Sequence, residues 1–193
     1  MNRHPGGTEH SLHMLQLAEA AGLAPGSKIL DLGAGAGETV QLLRKRGYDA
    51  YGIDLAPRCE AAALPSGCGG PAAAFVLQGD FLHAPFPDGS FDAVISQCAF
   101  FVSGDVPGAL RESFRLLIPC GLLLLSDVAF HPLRPQAAAA GFTVLTEEDL
   151  TPLWKEYYIE AVWRGDPLCC EFPKKKCAYT ALICRKDEDN GSF

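Results

Sequence analysis

Carboxylates stand in or just past three apolar runs of this chain, and glycines crowd the first of them. Lys28-Ile29-Leu30-Asp31-Leu32-Gly33-Ala34-Gly35-Ala36-Gly37-Glu38 sets Asp31 inside an otherwise aliphatic segment and follows it with Gly33, Gly35 and Gly37. Glycines between a strand and a helix let bare backbone N–H groups come up to a ligand. Asp54 ends the next such run, and Asp80-Phe81 follows a third. Either of those two carboxylates can equally cap a turn or a helix, as strand-end aspartates commonly do. Asp31 is harder to explain that way, because a buried carboxylate needs a partner.

The elements that must position these groups alternate along the chain. Residues 8–21 read as a helix with Met14, Leu17, Ala18 and Ala21 on one buried face, Thr8 as its cap and Gly22 as its stop. Ahead of it, His4-Pro5-Gly6-Gly7 is either a flap over a site or a frayed end. Strands are expected at 29–32, 49–54, 74–77, 93–96 and 122–126. Helices are expected at 38–46, 106–117 and, opened by Pro57, 57–64. Pro87-Asp88-Gly89 marks a turn between Phe86 and Phe91, and Pro119-Cys120-Gly121 another leading into the fifth strand. Apolar runs without alternation, separated by helices, point to a parallel sheet covered on both faces. Beyond Asp127 the pattern loosens into a short helix at 134–140 with Pro135 in its first turn, a strand at 141–145, an aromatic-rich helix at 153–164 and a last strand at 177–184.

The totals narrow the class. A chain of 193 residues, 48% hydrophobic and 20% charged, has the make-up of one globular α/β domain. Its formal charge of −7 and pI near 5.2 argue against a broad nucleic-acid or anionic-membrane surface. No apolar run reaches the roughly 18 residues of a membrane helix, and the first residues lack a signal-peptide core. The expected setting is cytoplasmic. Of the eight cysteines, at 59, 68, 98, 120, 169, 170, 177 and 184, none form a Cys-x-x-Cys pair or a zinc-type spacing, so no metal is expected. Cys98, Cys120 and Cys184 sit in apolar contexts where cysteine acts as a small buried hydrophobe, whereas Cys68 and Cys169-Cys170 fall in loops. Lys174-Lys175-Lys176 reads as a solvated loop.

Two cofactor classes compete for the glycine turn. A dinucleotide fingerprint needs G-x-G-x-x-G or A. Here Gly33 and Gly35 fit, but the third position is Glu38, neither small nor neutral. Asp31 and Glu38 would flank the phosphates with negative charge, unfavourable by roughly 1 kcal/mol even with water-like screening. A ligand with a cationic end and no phosphate removes the conflict. S-adenosylmethionine, with an ammonium, a sulfonium and one carboxylate, is such a ligand.

On these residues the chain resembles the class I S-adenosylmethionine-dependent methyltransferases. Asp31-Leu32-Gly33-Ala34-Gly35-Ala36-Gly37 is similar to their first motif, and the carboxylates at 54 and 80 fall at the expected strand ends. Phe86-Pro87-Asp88-Gly89-Ser90-Phe91-Asp92 is similar to the ubiquinone/menaquinone-type subgroup, within methyltransferase type 11. So is Arg115-Leu116-Leu117-Ile118-Pro119-Cys120-Gly121-Leu122, with Cys120 where that group usually has glycine. The resemblance covers residues 25–127 well and the last third in topology only. It implies an α/β, Rossmann-like doubly wound fold: a mostly parallel seven-stranded sheet, helices on both faces, the last strand antiparallel. One domain would span 1–193, with 1–24 a helical lid, 25–127 the cofactor-binding core and 128–193 the substrate side. It also implies Asp31 near the methionine ammonium, the backbone at Gly33, Gly35 and Gly37 beside it, Asp54 and Leu55 at the ribose, Asp80 and Phe81 at the adenine, and Gln97 in the same cofactor set.

Methyl transfer from a sulfonium is an in-line displacement with an already activated donor, so a protein contributes alignment and desolvation. A general base is needed only when the acceptor has a proton to lose. Open α/β sheets bind ligands beyond the strand C-termini, which brings Cys98, Phe100 and Phe101 near the acceptor and makes Asp127 and His131 the candidate proton acceptors. Tyr157 joins the substrate side, and Trp154, Tyr158 and Trp163 read as core packing or a pocket cap. The expected partner is a small molecule, with no nucleic acid and no membrane, for a monomer or homodimer. Two other readings share the fold: transfer to a thiol, selenium or arsenic acceptor, and S-adenosylmethionine binding without catalysis.

Overall fold

The computed structural model describes residues 4–56, 75–165 and 177–187. Seven strands form one sheet: β1 Lys28–Leu32, β2 Asp49–Asp54, β3 Val76–Gln78, β4 Phe91–Gln97, β5 Leu117–Ala129, β6 Phe142–Asp149 and β7 Ala178–Lys186, in the order β3-β2-β1-β4-β5-β7-β6. The first five run parallel, and β7 is antiparallel to both β5 and β6. The expected doubly wound sheet with an antiparallel last strand is the one observed.

Successive side chains on each central strand enter opposite cores, as period 2 requires. Leu30, Leu32, Val94, Leu123 and Leu125 pack against helices α4 Val106–Leu116 and α5 Leu133–Ala139. Ile29, Ala93, Ile95, Leu122 and Leu124 pack against α1 Gly7–Ala20 and α2 Glu38–Lys45. Both faces are dry, and each fully buried aliphatic side chain contributes about 1.5–3 kcal/mol. By the same alternation Asp31, Gln97 and Ser126 fall on the α1/α2 face, where they meet the front of the site. A short helix α3 Phe100–Ser103 follows β4, and α6 Thr151–Arg164 lies against β7.

Several expectations change. The buried face of α1 carries His10, Ser11, Met14, Leu15 and Ala18, while Leu17 and Ala21 are only half-buried, so the stripe runs one turn further toward the N-terminus and includes two polar residues. Pro119-Cys120-Gly121 does not precede β5 but interrupts it: Phe91 pairs with Leu117 and Ala93 with Leu122, leaving the intervening residues bulged. Cys120 is therefore exposed, not a buried hydrophobe, and its φ of 62° is the left-handed value a glycine would take more cheaply. Cys184 is buried as expected and Cys98 half-buried. Trp154 and Tyr158 pack with Val128 and Tyr179, but Trp163 is 86% exposed because it points away from the sheet on the outer face of α6. The helix at 57–64, Cys59, Cys68, Cys169, Cys170 and Lys174 to Lys176 lie outside the described residues.

Candidate active site

The strand order reverses between β1 and β4, and the groups of interest gather beyond the C-terminal ends of the strands flanking that point. Asp31 sits between Gly52 of β2 and Ile95 of β4, 4% exposed. Among the described residues it has no hydrogen bond or ion pair, and its only electrostatic neighbour is another carboxylate, Asp54. Burial, and secondly Asp54, push its pKa up to about 7.

The glycine turn is hooked onto β2 by Gly33 and Ala34 N–H groups donating to the Ile53 carbonyl at 2.9 and 3.2 Å. Gly33 has φ 83°, and a Cβ there would lie 2.3 Å from Ala99 Cβ, so the chain leaving β4 passes over it only because it is glycine. Gly37, also left-handed, opens α2 with no side-chain cap, leaving the positive end of that helix turned toward the site. Asp54 braces the turn: one carboxylate oxygen accepts from Gly35 N–H at 2.9 Å and the other from Ala56 N–H at 2.8 Å. Leu55 beside it is 66% exposed. Asp80 accepts from Leu82 N–H at 2.9 Å, capping a 3-10 turn over Phe81–His83, and a bond to His83 helps hold its pKa low. The capping roles foreseen for Asp54 and Asp80 are thus both present, and each oxygen keeps a second lone pair for a ligand.

Gln97 joins three elements. Its Oε1 accepts from Ser11 Oγ of α1 at 2.9 Å and from Thr39 Oγ1 of α2 at 3.3 Å, while its Nε2 is buried without a partner. Next to it Cys98 adopts φ 58°, a strained value for a side-chain-bearing residue, and its thiol donates to the Tyr179 hydroxyl at 3.6 Å. Tyr179 in turn donates to Ser126 Oγ at 3.3 Å. Phe100 is fully buried and stacks on Phe81 with ring centroids 5.9 Å apart. That places Phe100 in the core beneath the site. Phe101, half-buried, meets Phe130 edge-on at 5.6 Å.

The candidate proton acceptors fare differently. Asp127 is 1% exposed and accepts from Phe101 N–H at 3.0 Å and Val128 N–H at 2.7 Å. Burial pushes it up to about 7 despite these bonds. It braces the start of α3. His131 lies in the exposed turn after β5. Tyr157 lines a cavity of about 510 Å³ together with His4, Gly6, Gly7 and Arg164, between the N-terminal segment and α6. Ser11, Thr39, Ser126, Tyr179 and His10 were not picked out from the sequence. The signal for two of them was the α1 stripe, which once extended by a turn runs straight through His10 and Ser11.

These groups fit S-adenosylmethionine and not a dinucleotide. The unpartnered carboxylate of Asp31 calls for a cation, the orphan amide of Gln97 for an acceptor, and three further carboxylates nearby in sequence order (Glu38, Asp54, Asp80) disfavour phosphates. No cluster of three His, Cys, Asp or Glu side chains among the described residues is placed to hold a metal. No helix among them is long and apolar enough to cross a membrane.

A doubly wound sheet with an acidic, glycine-lined switch point defines the Rossmann-like methyltransferase class. Residues 30–125 match the family described as a methyltransferase domain, and the chain belongs to the S-adenosylmethionine-dependent methyltransferases. A demethylmenaquinone methyltransferase from Beutenbergia cavernae is 38% identical over 138 residues, covering 71% of this chain and 55% of that protein. A malonyl-[acyl-carrier protein] O-methyltransferase from Serratia marcescens is 34% identical over 110 residues, covering 57% of this chain and 42% of that protein. The chain therefore spans about half the length of these curated relatives. In three dimensions, a putative sarcosine dimethylglycine methyltransferase from Galdieria sulphuraria shares the fold with a TM-score of 0.73 at 21% identity, over 94% of this chain and 86% of that one.

Proposed function

We propose that this protein transfers a methyl group from S-adenosylmethionine to a small-molecule acceptor. The observation that carries the reading is Asp31, a buried carboxylate at the glycine turn whose missing partner is a cation. When bound, the cofactor supplies a methyl group activated by a sulfonium and leaves as a neutral thioether. The protein's share is to bind, orient and exclude water. Asp31 takes the ammonium. Asp54 offers its second lone pairs to the ribose hydroxyls, with Leu55 against the nucleoside. Asp80 and Phe81 flank the adenine. Gln97 Nε2 donates to an oxygen of the methionine end, with the backbone at Gly33, Gly35 and Gly37 alongside. Helix α1, held to Gln97 through Ser11, closes the front and makes residues 1–24 the lid of a single-domain enzyme. Cys98, Phe101 and Tyr157 face the acceptor side. Asp127 is a brace in this scheme, and His131 is the solvent-side group available for proton uptake. A cytoplasmic setting suits a chain of eight cysteines with no Cys-x-x-Cys pair.

Calorimetry with S-adenosylhomocysteine, followed by an assay for its formation from S-adenosylmethionine across pools of small acceptors, tests the reading. Binding with acceptor-dependent turnover supports it. Absence of binding refutes it, and binding without turnover on any pool reduces the protein to a cofactor-binding one.

A further inference from the structure

Two buried polar atoms at the front of the site have no hydrogen-bond partner among the described residues: Gln97 Nε2 and His10 Nε2. Leaving such a group unbonded costs about 1–3 kcal/mol, so each marks a place where something else binds. The two lie on different sides of the α1 contact. Gln97 is tied to Thr39 of α2, the helix that the glycine turn opens, and so belongs with the cofactor. His10, 4% exposed, lies one residue along α1 from Ser11 and rests on Tyr179 of β7, with ring centroids 6.3 Å apart. Tyr179 cannot complete it, because that hydroxyl is already engaged by Ser126 and Cys98.

We propose that His10 binds the methyl acceptor, its Nε2 taking a hydrogen bond from the O–H, N–H or S–H of the group to be methylated. The assignment rests on the methyltransferase reading above. The surroundings define the class of acceptor. Burial, then His4 and His13, lower the His10 pKa to about 4, so the ring is uncharged at neutral pH and offers a lone pair instead of a countercharge. Tyr179, on which the ring rests, is joined through its hydroxyl to Ser126 and Cys98. Such a lining selects an uncharged polar group on a compact body over a carboxylate or phosphate. His4 covers the other side of the ring at 6.3 Å, and the chain turns so tightly there that a Cβ on Gly6 would lie 2.7 Å from His10 Cβ. The same segment borders a cavity of about 510 Å³, lined by His4, Gly6, Gly7 and Tyr157 together with the charged Glu9 and Arg164.

The test is nuclear magnetic resonance of protein carrying ¹⁵N-labelled histidine, saturated with S-adenosylhomocysteine and titrated with phenol, ethanethiol and acetamide as O–H, S–H and N–H probes. At least one probe should shift the His10 Nε2 resonance saturably. His10→Phe, which keeps a ring against Tyr179, should weaken that probe about five- to tenfold, the worth of one hydrogen bond, with S-adenosylhomocysteine affinity unchanged by calorimetry. If no probe moves His10, or His10→Phe binds the probe equally well, the assignment is overturned. Should His10→Phe fail to fold, the wild-type titration decides alone. Failure to bind S-adenosylhomocysteine overturns the methyltransferase reading and this assignment together, whereas binding with a silent His10 overturns the assignment only.

Discussion

Two aspartates, Asp31 at the end of β1 and Asp127 near the end of β5, are almost equally buried, at 4% and 1% exposure, and both are pushed up to about 7 by that burial. Asp127 is surrounded by backbone N–H donors from Phe101 and Val128. Asp31 has none among the described residues, and its electrostatic neighbour is Asp54. The same residue type at the same depth thus does opposite things. One accepts backbone N–H groups and holds a loop; the other is the group proposed to meet the ligand's cation. The groups around them divide likewise, with Asp31, Asp54 and Asp80 in or just past β1 to β3, and the amide, thiol and hydroxyls of Gln97, Cys98, Ser126 and Tyr179 joining Asp127 on or just after β4, β5 and β7.

Exchanging the charge breaks this contrast most sharply. Asp31→Asn should weaken S-adenosylhomocysteine binding by at least about 100-fold in calorimetry, since removing one partner of a buried ion pair costs roughly 3 kcal/mol or more. In the same variant the ligand-free protein should become more stable by about 1–3 kcal/mol at pH 8, because an uncompensated buried charge has gone. Asp127→Asn should do the reverse. It keeps one acceptor oxygen of two, so chemical denaturation should show a loss of about 1–2 kcal/mol, with cofactor affinity nearly unchanged. If both variants lost stability, Asp31 would have a partner in solution that the structure does not show.

The pH profile sharpens the point. Both carboxyl groups have folded pKa values raised above their unfolded value near 4, so the folded state binds protons more tightly. Their contribution to stability is fully present below about pH 4 and is lost as pH rises through about 7. Thermal melts of the ligand-free protein should therefore improve from pH 8 toward pH 5.5, and saturating S-adenosylhomocysteine should flatten the Asp31 part of that slope. The smallest expected effect separates the two strained cysteines. Cys120→Gly, remote from the site at a left-handed φ of 62°, should stabilise by about 0.5–1 kcal/mol. Cys98→Gly relieves a similar strain but loses the thiol bond to Tyr179, so its net gain should be smaller.

The acidic, glycine-lined turn and the strand ends beside it were legible in the sequence because their signals are local. Asp31, Gly33, Gly35 and Gly37 are neighbours on one turn, and Asp54 and Asp80 mark strand ends that periodicity locates unaided. The parallel part of the sheet followed from the same apolar runs, whereas the antiparallel β7 came from the family resemblance. The cross-links between elements were not legible, because they join distant positions: Ser11 meets Gln97 across 86 residues and Tyr179 meets Ser126 across 53. No spacing rule announces such pairs. Cys120 and Trp163 were misplaced for a related reason, since an apolar context says nothing about a bulge in a strand or about which helix face turns outward.

With the ammonium seated against Asp31 as proposed, the site becomes a proton exchanger. Near pH 7 the ligand-free carboxyl is partly protonated, and an ammonium bound against it favours the ionised form. Loading the cofactor then expels a fraction of a proton to solvent. The observed binding enthalpy would shift with the ionisation enthalpy of the buffer, and affinity would decline as the medium turns acidic. Under the proposed binding mode, cofactor occupancy would be tied to the acidity around it through a single carboxyl group in the first strand.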